Sequence, residues 1–245
     1  MEGDMQYDNP AGRLLEILIS VKQHPRTTEA REVWRKVFGL PGSEMGPALS
    51  AKLGKAMLLS QQALDLLAEE HPELVDPPPT WAQQVSSAFQ THNVHGAIES
   101  FANNISNDTI ANVRTAAVLL QKGSTRKVLT LEELRVVRDD LDALLQEVLA
   151  GSQPPEIRLY ICRSLRKIIA AIDEYQLTGA APIFEGIEQA FGHAGVDPAY
   201  RSFLTDTELG ARVLSALSAA GNLMTVAVGM PQLAHFATLL LKAPA

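Results

Sequence analysis

The sequence predicts an all-α protein: a multi-helix bundle with a long central αα-hairpin and an apolar C-terminal helical pair. Three observations carry this. Apolar residues recur at three- and four-residue spacing in most segments. No run shows sustained period-two alternation of β-branched residues. Only 5% of the 245 residues are aromatic while 46% are hydrophobic, so the core must be aliphatic, which suits helix-on-helix packing.

The elements follow from their punctuation. Asn9-Pro10 supplies a cap and a first-turn proline ahead of Leu14, Leu15, Ile17, Leu18 and Val21, and Pro25 closes that helix. Thr27 or Thr28 starts the next, with Val33, Trp34, Val37 and Phe38 on one stripe before Gly39-Leu40-Pro41. Gly46-Pro47 opens a long amphipathic helix to Glu70. Past it, Asp76-Pro77-Pro78-Pro79-Thr80 forms a stiff extended spacer, because proline fixes φ and offers no donor. This break divides the chain into an N-terminal helical region, 1–75, a Pro-rich segment, 76–80, and a main bundle, 81–245. The same segment also reads as a loop inside one domain.

Trp81 to Phe89 and Val94 to Phe101 read as two short helices, and Asn107 or Asp108 caps a third that ends at Gly123. Thr130-Leu131-Glu132-Glu133 is a capping box, in which hydroxyl and carboxylate each satisfy a free backbone donor of the other. Leu131, Leu134, Val137, Leu141, Leu144, Leu145 and Val148 follow it. After Gly151, Pro154-Pro155 restarts the chain into Ile157, Ile161, Leu165, Ile168 and Ile172. So short a connection folds the two helices side by side over 130–175. The first carries Glu132, Glu133, Asp139, Asp140, Asp142 and Glu147 with Arg135 and Arg138; the second carries Arg158, Arg163, Arg166 and Lys167. Their charges are expected to pair within the hairpin. Ala181-Pro182 begins another helix, Asp197-Pro198 a short turn, and Thr205-Asp206-Thr207-Glu208 a second capping box.

Val33-Trp34-Arg35-Lys36-Val37-Phe38-Gly39-Leu40, together with the helices running to Tyr175-Gln176-Leu177-Thr178-Gly179, resembles a pattern of bacterial all-α proteins to which no activity is attached. The resemblance rests on packing residues and implies a bacterial intracellular protein.

Net charge of −7 argues against a general polyanion-binding surface, so nucleic acid is not an expected partner. One cysteine, Cys162, excludes an internal disulfide and suits a reducing compartment. Met1-Glu2-Gly3-Asp4 opens with acids, so no secretory signal is expected. Signatures of nucleotide, serine-hydrolase and zinc-protease sites are missing. His92, His95 and Glu99, at spacings of three and four, share a helical face and form the one candidate metal set. The competing reading, a solvated helix start, is preferred, and no metal or cofactor is expected. Cys162 beside Ile161 and Leu165 reads as a core residue rather than a nucleophile. Arg158, Arg163, Arg166 and Lys167 read as a basic face lacking the interleaved aromatics of a nucleic-acid surface.

The C-terminal segment stands apart. Val213 to Leu241 contains 29 residues without an Asp, Glu, Lys or Arg. Val213, Leu217, Ala220, Leu223, Val226, Leu233, Phe236 and Leu240 are its candidate interaction or membrane residues. It reads as two helices broken near Gly221-Asn222 or Gly229-Met230-Pro231, buried in a core or an oligomer interface. Its length also permits one tilted membrane passage, against which stand Asn222, Pro231, Gln232 and His235. The expectation is a non-catalytic cytoplasmic interaction or assembly protein that self-associates or binds a protein partner. A conditionally membrane-inserting effector of cell-killing or phage-defence type is the alternative. An enzyme built on His92/His95 or Cys162 is the third.

Overall fold

The computed structural model describes residues 7–42, 46–122 and 128–228. They are all-α: twelve α-helices stand among the described residues, with one isolated β-bridge and no strand. The described residues form two compact units, one within residues 5–124 and one within 125–245. The Pro-rich segment 76–80 lies inside the first unit, where the helices on either side of it pack together.

The first unit holds α1 (Pro10–Lys22), α2 (Ala30–Val37), α3 (Pro47–Glu70), α4 (Thr80–Thr91), α5 (Glu99–Ala102) and α6 (Asn107–Gln121). α1 is its centre, packed against α6, α3 and α2. Its start follows the sequence pattern: Asn9 Oδ1 accepts from the Gly12 N–H at 2.9 Å, and Pro10 takes a position needing no donor. Asn9 Nδ2 also donates to the Ala117 carbonyl of α6 at 3.0 Å. Arg13 is buried on α1, its charge answered by Asp8 at 2.6 Å.

Three local expectations are corrected here. The cap of α6 is Ser106, one residue ahead of the expected Asn107 or Asp108, in a reciprocal capping box with Thr109. α2 begins at Ala30 rather than at the threonines, because Thr28 is engaged in extended pairing: its carbonyl accepts from Ile98 N–H, while Gly96 carbonyl accepts from Ala30 N–H. That pairing holds residues 93–98 as turn and bridge, so the helix expected over Val94 to Phe101 shrinks to α5.

The second unit holds α7 (Leu131–Ala150), α8 (Pro155–Asp173), α9 (Tyr175–Thr178), α10 (Ala181–Val196), α11 (Pro198–Asp206) and α12 (Glu208–Val228). α7 and α8 are the expected hairpin. Thr130 Oγ1 accepts from Glu133 N–H at 3.1 Å while Thr130 N–H donates to Glu133 Oε2 at 2.8 Å. Leu141, Val148, Leu165 and Ile168 are fully buried along the hairpin's inner side. α10 packs on α8, and α12 packs on α7, α10 and α11.

Two further corrections fall in this unit. Asp197-Pro198 opens a nine-residue helix rather than a turn. The residue that caps α12 is Thr207, whose Oγ1 accepts from Gly210 N–H at 2.9 Å, whereas Thr205 lies within α11. Gly210 has no room for a side chain: a Cβ there would sit 1.9 Å from the Phe203 carbonyl oxygen.

Candidate functional site

Four sets of side chains in the described residues are organised beyond simple helix packing. The first surrounds His92. Trp34 on α2 stacks on Phe38 and Phe89, with ring centroids 5.5 and 5.8 Å away, and meets Phe101 edge-on at 4.9 Å. His92, just past α4, completes the group at 5.6 Å from Phe101. Its Nδ1 lies 2.9 Å from the Phe89 carbonyl, an acceptor only, so that nitrogen carries the proton. His92 Nε2 and Trp34 Nε1 are both buried without a hydrogen-bond partner in the described structure. Aromatic packing therefore holds His92. The shared helical face expected for His92, His95 and Glu99 does not form, since His92 ends α4, His95 sits in a turn and Glu99 starts α5. Among the described residues no group of three or more His, Cys, Asp or Glu is placed to hold a metal ion.

The second set joins α8, α10 and α11. His193 stacks on Tyr160 at 3.7 Å, and Tyr200 meets Tyr160 edge-on at 4.9 Å. Asp197 serves two helices: one oxygen caps α11 by accepting from Ala199 and Tyr200 N–H, and the other lies 3.2 Å from His193 Nε2. Burial pushes the Tyr200 hydroxyl well above its usual range, so it stays protonated. Tyr160 donates to the Gln189 carbonyl. These groups fasten the end of α10 to its neighbours. The sequence signal was the four-residue spacing of His193 and Asp197, which the sequence reading passed over.

The third set is the C-terminal segment. Val213, Leu217 and Ala220 are at most 1% exposed, together with Met224 and Ala227, on the inner stripe of α12. Leu223 is half-buried, and Val226 lies within the span of α12. The helix runs through Gly221-Asn222 without a break, a correction to the first of the two expected break points. Gly221 faces Ile187 of α10, and a Cβ there would make only ordinary contact with it. The second break point, at Gly229-Met230-Pro231, and the candidates Leu233, Phe236 and Leu240 lie outside the described residues. No helix among the described residues is long and apolar enough to cross a membrane.

The fourth set is the basic residues of α8, which do not pair with the acids of α7 as expected. Arg158 turns to the Gly151 carbonyl at 3.5 Å, and Lys167 donates to Gln189 Oε1 at 2.7 Å. Arg163 and Arg166 are exposed and make no hydrogen bond or ion pair among the described residues. Across the hairpin the ion pair runs the other way, from Arg138 of α7 to Asp173 of α8 at 2.9 Å. Glu147 instead binds Arg212 of α12 through both carboxylate oxygens, at 2.5 and 2.7 Å. Cys162, 3% exposed, packs in the core while neighbouring Arg163 faces solvent.

No family model, no curated protein and no solved structure matches the chain.

Proposed function

We propose that the protein is a non-catalytic helical interaction protein, whose apolar C-terminal stretch serves protein packing rather than lipid insertion. The observation that carries this reading is the inner stripe of α12. Val213, Leu217, Ala220, Met224 and Ala227 are closed over by helices of their own unit. The first part of the charge-free stretch thus finds its apolar surroundings within protein. Exposing it to insert in a bilayer would forgo about 1.5–3 kcal/mol for each large side chain uncovered. The His193 cluster also favours this reading: its ring stacks on Tyr160, and Asp197 beside it caps α11.

Dye-loaded vesicles of anionic lipid test the proposal directly. The full chain is expected to leave them sealed at neutral and mildly acidic pH. A Leu233→Asp, Phe236→Asp, Leu240→Asp variant is the control for any release the unmodified protein shows. Release of dye by the unmodified protein, abolished in that variant, would overturn the proposal in favour of the membrane effector.

A further inference from the structure

We infer that the outer face of the α7–α8 hairpin binds a second copy of this chain, through two charge stripes that complement each other about a two-fold axis. The inference rests on the reading of the protein as an interaction protein and names its partner and surface.

The hairpin is covered on one side, where α12 lies on α7 and α10 lies on α8. On its other side α7 presents Arg135, Asp139, Asp142, Gln146 and Leu149, spaced four, three, four and three residues apart along one stripe. Leu159, Arg163, Arg166, Ala170 and Asp173 form the matching stripe of α8, with the same four, three, four and three spacing. All of these are exposed except Asp142, which is half-buried. Leu149 and Leu159, 43% and 52% exposed, sit near the turn. Counted outward from the turn, α7 reads apolar, neutral, acid, acid, base, and α8 reads apolar, base, base, small, acid.

Position as well as sign agrees. Asp142 and Arg163 lie equally many residues from the turn, as do Asp139 and Arg166. Arg135 lies level with the small Ala170, three residues short of Asp173, which is less than one helical turn. Within one chain Arg163 and Arg166 meet none of these acids: they make no hydrogen bond or ion pair among the described residues, while Asp139 lies beside Arg135 and Arg138 at the exposed surface and Asp142 feels Arg138 without pairing to it. A two-fold axis parallel to the hairpin sets α7 of one copy over α8 of the other. Asp142 and Asp139 then face Arg163 and Arg166 of the second copy, and the leucines of both copies cluster at the turn end. Such an isologous contact repeats every pair twice. At the far end Arg135 comes within reach of the second copy's Asp173, which Arg138 of its own chain already holds. Arg135 bridges Glu132 and Asp139 at the exposed surface, a contact that rearranges at little cost. Two helices about 30 Å long and about 20 Å wide together cover about 600 Å² per copy, the low end of a specific interface.

Light scattering on the full chain tests this at micromolar concentrations. The unmodified protein should weigh twice 26.5 kDa and lose mass as salt is raised. Arg163→Glu with Arg166→Glu should give a folded monomer, and so should Asp139→Arg with Asp142→Arg. Mixing the two variants should restore the doubled mass, since each then carries the charge the other lacks. Melting followed by circular dichroism certifies the fold; if the first variant does not fold, Arg163→Ala with Arg166→Ala should still give a monomer, and the mixing is then made with Arg163→Glu alone against Asp142→Arg alone. A monomeric unmodified protein, a dimer that survives both reversals, or variants that fail to recombine would each overturn the inference. None of these bears on the vesicle assay, so failure here and failure of the proposed function are told apart.

Discussion

In residues 5–124 the ties between distant helices end on backbone carbonyls or neutral amides. Asn9 reaches the Ala117 carbonyl, Lys22 reaches the Ile105 carbonyl and Arg26 reaches the Asn103 amide. In residues 125–245 the corresponding ties join opposite charges near the surface: Arg138 to Asp173 and Arg212 to Glu147. Their cores differ as well. Trp34 and its ring of aromatics centre the first, while the hairpin of the second is sealed by Leu141, Ile161, Leu165 and Ile168. Carbonyl acceptors do not titrate, whereas carboxylates do. These particular ties should therefore answer to salt and pH in the second unit and not in the first.

The largest expected effect comes from charging the hairpin seam. Leu141 is fully buried, so Leu141→Asp forces a carboxylate among aliphatic side chains and should cost more than about 4 kcal/mol. Urea denaturation followed by circular dichroism should show loss of the second unit's helix; an unchanged midpoint would mean the seam is open. Next comes the aromatic centre of the first unit. Trp34 is fully buried, and Trp34→Ala should cost about 3–5 kcal/mol by the same measurement. A cost under about 1 kcal/mol would show that the ring cluster collapses around the gap.

The smallest effect is the most discriminating, because one residue type should act with opposite sign in the two units. Burial raises the pKa of Glu16 on α1, with Arg114 pulling part of the way back. The folded state then holds that proton more tightly than the unfolded chain, and stability falls as pH rises through the carboxylate range. Glu16→Gln should gain stability at neutral pH and nothing in acid. Glu147 runs the other way: hydrogen bonds from Arg212 lower its pKa, so its contribution is present at neutral pH and lost as pH falls through the folded value. Glu147→Gln should lose stability at neutral pH and not in acid. Melting temperatures of both variants between about pH 3 and 7 give the two slopes, and slopes of one sign would erase the contrast.

What could be read from the sequence was the part held by neighbours in the chain. The α7–α8 hairpin was legible because its cap, its apolar stripe and its four-residue connection are all local. The turn around His92 and His95 was not, since residues 96–98 answer to hydrogen bonds from a segment near Thr28. Helical spacing cannot anticipate a partner that far away. The division of the chain was hidden for the same reason. Pro77, Pro78 and Pro79 are the strongest local break, yet α1 is tied to α6 by contacts spanning 108 residues, which keeps both sides of the break in one unit. Gly221-Asn222 looked like a stop because glycine disfavours helices, but the buried stripe on either side of it, Leu217, Ala220, Met224 and Ala227, carries the helix through. Of the candidate residues, Val213, Leu217 and Ala220 are buried on α12, whereas the outer stripes of the hairpin carry no local signal that sets them apart from any solvated helix face. Arg163 and Arg166 were matched to the acids of their own chain, none of which they reach.

The distribution of two rare residues gives each unit its own clock and lamp. Both tryptophans, Trp34 and Trp81, are buried in residues 5–124, and the lone thiol, Cys162, is buried on α8 of the other unit. Indole emission consequently reads the first unit alone, with no dye attached. In the second, a thiol reagent reacts only when α8 lifts from its neighbours, so the rate of labelling counts those openings one by one. The unmodified chain is thus already instrumented, with an optical signal at one address and a chemical one at the other.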